Sequence, residues 1–261
     1  MSLLSDSYIS YVNMDHRKDR LTHIANELKK VGIQAERTRG IYPYEFLIDN
    51  PCHAKMRART WGAIGCYEAQ LNVMREALKQ GKHAFVMEDD VVFCSDFHKR
   101  IEYIDNSWIS NPGEWDIIWL GGTFHINPPY WHKQDLGRDA ECTNDPRIIR
   151  TYGSFCTYSY IVNKYSLIKV VNMLEKIMHK SIGIDWSMIQ LSPQLHTFAF
   201  VPGCCKQIDN ESDQIPDKKV ITEFSKFEKL NGTIENSRYW YQDKMEDFDP
   251  LTFDWAEAKI N

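Results

Sequence analysis

No apolar run in these 261 residues approaches the ~18 that a membrane-spanning helix needs, so no transmembrane segment is expected. The opening residues, Met1-Ser2-Leu3-Leu4-Ser5-Asp6, lack the basic start and apolar body of a secretory leader, and a cytoplasmic location is expected. Basic residues are not in excess: 31 Lys and Arg stand against 36 Asp and Glu, for a net charge of −5, which argues against a general nucleic-acid binder. The seven cysteines are odd in number and lack framework spacing, which points to reduced thiols. Cys204-Cys205 reads as a packed pair rather than a metal motif. The sequons Asn210-Glu211-Ser212 and Asn231-Gly232-Thr233 stay idle without a secretory route. There is no Walker loop, no H-E-x-x-H helix and no Ser-His-Asp signature, nor any internal repeat or low-complexity linker.

What is present supports a full core: 43% of residues are apolar and 13% aromatic, enough for one large α/β domain with an appendage. Tyr8 to Val12 reads as a buried strand, followed by the polar loop Asn13-Met14-Asp15-His16-Arg17. Leu21, Ile24, Leu28 and Val31 form a helical stripe that Gly32 ends, and Ile33 to Thr38 reads as a second strand. Strand, helix and strand in that order make a βαβ unit and imply a parallel sheet. Residues 42–60 read as a loop. Ile64, Tyr67, Leu71, Met74 and Leu78 mark a second helix closed by Gly81, and a strand then runs from His83 into Glu88. Asp116 to Leu120 is another strand, closed by Gly121-Gly122. Residues 123–150, which include Phe124, Tyr130 and Trp131 and are rich in His, Pro, Asp and Arg, read as a long functional loop or lid. Thr157 to Val162 and Phe198 to Val201 read as strands, with a third helix marked by Leu167, Val170, Leu174 and Ile177. The division expected is a domain over residues 1–214 and a charged C-terminal appendage, 215–261, packed on it.

The chemistry concentrates in Glu88-Asp89-Asp90, between the apolar runs His83–Met87 and Val91–Phe93. Adjacent carboxylates near a core repel and lose hydration. A hard divalent cation, Mn²⁺ or Mg²⁺, would relieve both costs and hold substrate phosphates on its free positions. A solvated strand end is the bland alternative. Strand alternation puts Glu88 and Asp90 on one side and Asp89 on the other, which makes Asp90 the preferred metal ligand with Glu88 beside it. Asp15, Arg17, Asp19 and Arg20, after the first strand, are either a surface ion-pair cluster or nucleotide contacts, and Arg39 would reach the same pocket. Asp185 is either a helix N-cap for Trp186 to Leu191 or the base that removes a proton from an attacking hydroxyl. His125, His132, His196, Asp209 and Asp213 carry less weight, as possible further ligands.

These motifs, in this order, resemble glycosyltransferase family 25. Tyr11-Val12-Asn13-Met14-Asp15-His16-Arg17-Lys18-Asp19-Arg20 is similar to its "N-L-D-x-R-x-D-R" opening. Gly62-Ala63-Ile64-Gly65-Cys66 resembles "G-E-I-G-C", Phe85–Val91 the strand ending in "E-D-D", and Asp116–Gly121 the segment "D-i-i-y-L-G". Tyr152–Tyr158 and Ile184-Asp185 resemble two later segments, so the resemblance covers about residues 8–213. It implies a GT-A type, Rossmann-like fold, with a mainly parallel central sheet flanked by helices. It also implies inverting transfer from a nucleotide-sugar donor, UDP-galactose or UDP-glucose above others, to a glycan or protein acceptor. Under it, Asp90 and Glu88 hold Mn²⁺ or Mg²⁺, Asn13, Met14, Asp15, Arg17, Arg20, Arg39, Glu88 and Asp89 line the donor, and Asp185 is the base. The chain departs from the family pattern at Ala63, where a glutamate is usual, and at Ala69-Gln70, in place of Ser-His. Those departures point either to a changed donor or to a degenerate enzyme. The other readings are a non-catalytic sugar-nucleotide or glycan-binding protein, and a metal-dependent nucleotidyltransferase or phosphohydrolase.

Overall fold

The computed structural model describes residues 2–42, 61–111, 113–124, 143, 145–178, 183–208 and 243–247. Its centre is a seven-stranded sheet in the order β2-β1-β3-β7-β5-β8-β6. The strands are β1 (Ser7–Asn13), β2 (Glu36–Arg39), β3 (His83–Glu88), β5 (Ile117–Phe124), β6 (Ile148–Thr151), β7 (Ser154–Val162) and β8 (Thr197–Phe200). β1 pairs in parallel with β2 and β3, and β5 with β8, while β7 runs antiparallel between β3 and β5 and β6 runs antiparallel on β8. Five of the seven strands therefore point one way, giving the mainly parallel sheet of an α/β protein. A separate two-stranded ribbon pairs β4 (Val91–Phe93) with β9 (Cys205–Gln207).

Period-two alternation feeds two cores. Ala84 and Val86 of β3 face a core with Tyr67, Leu71 and Met74 of α2 (Trp61–Gln80), Leu174 of α4 (Leu167–Met178) and Met188 of α5 (Ile184–Leu191). Phe85 and Met87 face the other core, with Ile24 and Leu28 of α1 (Lys18–Val31) and Phe97 and Ile101 of α3 (Phe97–Asn106). The helical stripes read from the sequence thus lie where the sheet buries them. α1 ends at Gly32 in the left-handed conformation, its N–H donating to the Leu28 and Lys29 carbonyls.

Several boundaries differ from the sequence reading. β5 does not close at Gly121-Gly122 but passes through both to Phe124, with register shifts against β7 that absorb them. The expected loop over 123–150 is therefore shorter at both ends, because Thr123 and Phe124 belong to β5 and Ile148 opens β6, buried against β8. Its middle, with His125, Tyr130, Trp131 and His132, lies outside the described residues, as do residues 43–60, Asp209 and Asp213. Of the expected appendage only 243–247 is described. There Asp243 Oδ1 accepts from the Ser95 N–H (2.9 Å), and the Met245 N–H donates to Asp96 Oδ2 (2.6 Å).

Candidate active site

The co-directed strands bring their carboxyl ends to one edge of the sheet, where open α/β sheets bind ligands. β1 delivers Asn13 there, β2 delivers Arg39 and β3 delivers Glu88. β3 stops at Glu88, and Asp89-Asp90 forms a turn before β4. Strand alternation consequently does not extend to the aspartates, and Asp89 is not turned away from Asp90. Arg20, in the first turn of α1, reaches both: its Nη1 lies 3.0 Å from Asp89 Oδ1 and 2.9 Å from Asp90 Oδ2. Asn13, buried, donates from Nδ2 to Asp89 Oδ2 (2.7 Å) and to the Arg17 carbonyl (3.2 Å). Both Asp89 oxygens are thus engaged by the protein, and Asp89 acts as the anchor of the turn.

Asp90 and Glu88 are held differently. Asp90 Oδ2 accepts from Arg20 and from Gln207 Nε2 of β9 (3.0 Å), and the Asp90 carbonyl accepts from the Ile208 N–H (3.0 Å). Asp90 Oδ1 is buried and, among the described residues, has no donor. Burial pushes the Asp90 carboxyl up, against the pull of Arg20 and Gln207. Glu88 Oε1 accepts from Gln70 Nε2 (3.1 Å) and Thr157 Oγ1 (3.2 Å). Burial, and then the charges of Asp90 and Asp89, push the Glu88 carboxyl up to about 8.

Beside this turn is a second, more exposed group. Asp15 takes Arg37 Nη2 on Oδ1 (2.6 Å) and Arg39 Nε on Oδ2 (2.7 Å), and these hydrogen bonds bring its carboxyl down to about 2. Arg37 also donates from Nε to Asn13 Oδ1 (3.0 Å). Asn13 is therefore oriented from both ends and joins the rim to the acidic turn. The Arg39 guanidinium lies 5.8 Å from the Tyr42 ring centre, and the Tyr42 hydroxyl is 2.9 Å from His16 Nδ1. Met14 packs over Gly40, where any β-carbon would collide with it. Arg17 is bound through Nε and Nη2 to Asp19 (3.0 and 2.8 Å), as the ion-pair reading of that loop has it. Arg37 was not among the residues singled out from sequence, because a charge on a polar edge strand gives no local sign of a partner on β1.

Asp185 stands on α5, which packs on β7. It is not the N-cap: Gly183 holds that position, and Asp185 lies within the first turn, with Oδ1 accepting from the Trp186 N–H (2.7 Å). His196 is exposed at the amino end of β8, the opposite edge of the sheet from Glu88, which removes it as a ligand.

Among the described residues no three His, Cys, Asp or Glu side chains converge to hold a metal ion by themselves. A hard divalent ion that keeps waters and phosphate oxygens needs only one or two protein carboxylates. The donorless Asp90 Oδ1, beside a Glu88 whose negative form is disfavoured by its neighbours, fits that need.

The molecule is thus an α/β protein whose sheet, at the carboxyl ends of its co-directed strands, carries crowded carboxylates backed by arginines. The model of glycosyltransferase family 25, described as an LPS biosynthesis protein family, matches residues 7–188, and the chain belongs to that family. It is 33% identical over 73 residues to the "Probable inactive glycosyltransferase 25 family member 3" of Rattus norvegicus, covering 28% of this chain and 13% of that protein. The protein of the same name from Bos taurus is 27% identical over 108 residues, 41% of this chain and 17% of that protein. The chain thus spans less than a fifth of the length of these relatives. Among solved structures, the inositol-1-phosphate CTP transferase from T. maritima superposes with a TM-score of 0.40 at 12% identity, over 85% of this chain and 77% of that one.

Proposed function

We propose that the chain is a metal-dependent, inverting glycosyltransferase that moves a hexose, galactose or glucose, from a UDP-sugar to a hydroxyl of a glycan or protein acceptor. The observation that carries this reading is the buried, donorless Asp90 Oδ1 next to Glu88, at the carboxyl end of a central strand. Asp90 and Glu88 would hold a Mn²⁺ or Mg²⁺ ion. When bound, that ion would neutralise charge on the departing nucleoside diphosphate. Asp89, Arg20 and Asn13 keep the turn in shape, and Arg37, Arg39 and Asp15 form the rim that meets the nucleotide, with Met14 and Arg17 behind it. Asp185 takes the proton from the acceptor hydroxyl as it attacks the anomeric carbon. In an assay of sugar transfer with a panel of UDP-sugars, Asp90→Ala removes metal-dependent turnover while the protein stays folded; unchanged turnover would refute the metal assignment.

A second reading, a sugar-nucleotide or glycan-binding protein without turnover, is favoured by the word "inactive" in the relatives' names and by Ala63, Ala69 and Gln70. Tight UDP-sugar binding with neither transfer nor donor hydrolysis would select it.

A further inference from the structure

Position 70, where the chain departs from its family's pattern, is fully buried on α2, so Gln70 has no access to a bound donor. Its surroundings are nevertheless those of the active site. A buried amide needs partners for both ends. Its oxygen only accepts, and the Tyr160 hydroxyl, also fully buried, donates to it at 2.6 Å. The amide oxygen thus points at Tyr160. The nitrogen therefore faces the other way, 3.1 Å from Glu88 Oε1 and 3.0 Å from Thr157 Oγ1. The threonine hydroxyl accepts from Gln70 and donates its own O–H to the same Glu88 oxygen, at 3.2 Å. Against an ionised Glu88, the flipped amide would set oxygen against carboxylate, a repulsion that this arrangement avoids. Tyr160 stays a donor throughout, because burial pushes its hydroxyl well above the usual tyrosine range.

We propose that Gln70 is a positioning residue: locked by Tyr160, it ties Glu88 Oε1 to the protein and leaves Oε2 for the ligand. The proposal rests on the reading of Glu88 as a ligand-holding group. It also makes the departure at position 70 a rebuilt support rather than a lost contact, because the Gln70 amide, Tyr160 and Thr157 satisfy one another and Glu88 together.

Two measurements on the full chain test it. The first needs no metal: the Gln70 side-chain amide signals in a ¹⁵N–¹H correlation spectrum, assigned by their loss in Gln70→Glu, should move in both Glu88→Gln and Tyr160→Phe. Signals that ignore Glu88→Gln would overturn the proposal. The second is titration with Mn²⁺ alone. Gln70→Met should weaken binding 10–100-fold, the range typical of partners behind a metal ligand, with a native circular dichroism spectrum. Gln70→His, which keeps an N–H donor, should recover part of that loss, and Tyr160→Phe should weaken binding less than Gln70→Met. Affinities within two-fold of wild type in both Gln70→Met and Tyr160→Phe would overturn it. A wild-type protein that binds no Mn²⁺ would refute the metal reading of the site, and the amide signals alone would then decide the role of Gln70.

Discussion

Arg20 is shared by two buried aspartates, Asp89 and Asp90, and so compensates charge on both. Arg20→Met leaves both carboxylates without it. Breaking a buried pair from one side typically costs about 3–5 kcal/mol, and urea unfolding of Arg20→Met should show a loss of that size. Mn²⁺ should restore part of it, since the ion would supply the missing positive charge. Arg37 provides the contrast. It is about a third exposed and bonds to Asn13 and Asp15 on the rim, so Arg37→Ala should change stability by less than about 1 kcal/mol. Its expected effect is on the ligand. The loss of a charge-assisted hydrogen bond and of the Asn13 orientation should weaken UDP-sugar binding roughly ten-fold by calorimetry.

Among the elements, α5 is positioned by a close contact that only glycine permits. Gly153 sits at φ +94° just before β7, and a β-carbon there would lie 2.8 Å from Ile189 Cγ1 and 2.9 Å from its Cα. Gly153→Ala combines backbone strain with that clash and should cost about 1–3 kcal/mol, read from the denaturant midpoint. Because the displaced helix carries Asp185, sugar transfer should fall more than UDP-sugar binding. The elements that could be read from sequence carry an apolar run or a periodic pattern that a core then accepts: β1, α1, α2, β3, β5, β7, α4 and β8. The acidic turn was legible because three adjacent carboxylates need an explanation in any fold. The arrangement of the aspartates was not, since it depends on β3 ending at Glu88. α3 went unread because its buried stripe includes Arg100, which looks like a surface charge. Arg100 finds its partners far away in sequence, donating from Nη1 to the Pro202 and Gly203 carbonyls (3.1 and 2.6 Å) while Nε pairs with Asp96 (2.7 Å). β6 and β9, of four and three residues, are too short to show a period, and both exist only through pairing with remote strands.

Across the whole molecule the sheet separates two chemistries, the acidic turn on one edge and His83 on the other. His83 opens β3, stacks on Trp115 with ring centres 5.4 Å apart, and accepts the Lys164 N–H on Nδ1 (3.1 Å). Burial drives its pKa down to about 4, although Asp6 pulls the other way. An unfolded histidine titrates near 6.5. Between those values the unfolded chain binds the proton more readily than the folded one, so this group makes the native state less stable as pH falls from about 6.5 to 4. In His83→Gln that part of the slope should disappear, so the difference in urea midpoint between the variant and wild type should change across this window and level off above it.

The proposed activity requires that the acidic edge bind a sugar nucleotide through a metal ion. A ligand that binds only the folded state raises the unfolding midpoint, by about 2.7 kcal/mol of stability at one hundred times its Kd. The most direct measurement is thermal unfolding of wild type and Asp90→Asn against a panel of nucleotide sugars, each with Mn²⁺ and with chelator. The proposed metal site predicts a rise in midpoint for wild type with a UDP-sugar and Mn²⁺ together, lost with chelator and lost in Asp90→Asn. The same rise in Asp90→Asn, or no rise with any nucleotide sugar in folded wild-type protein, would contradict it.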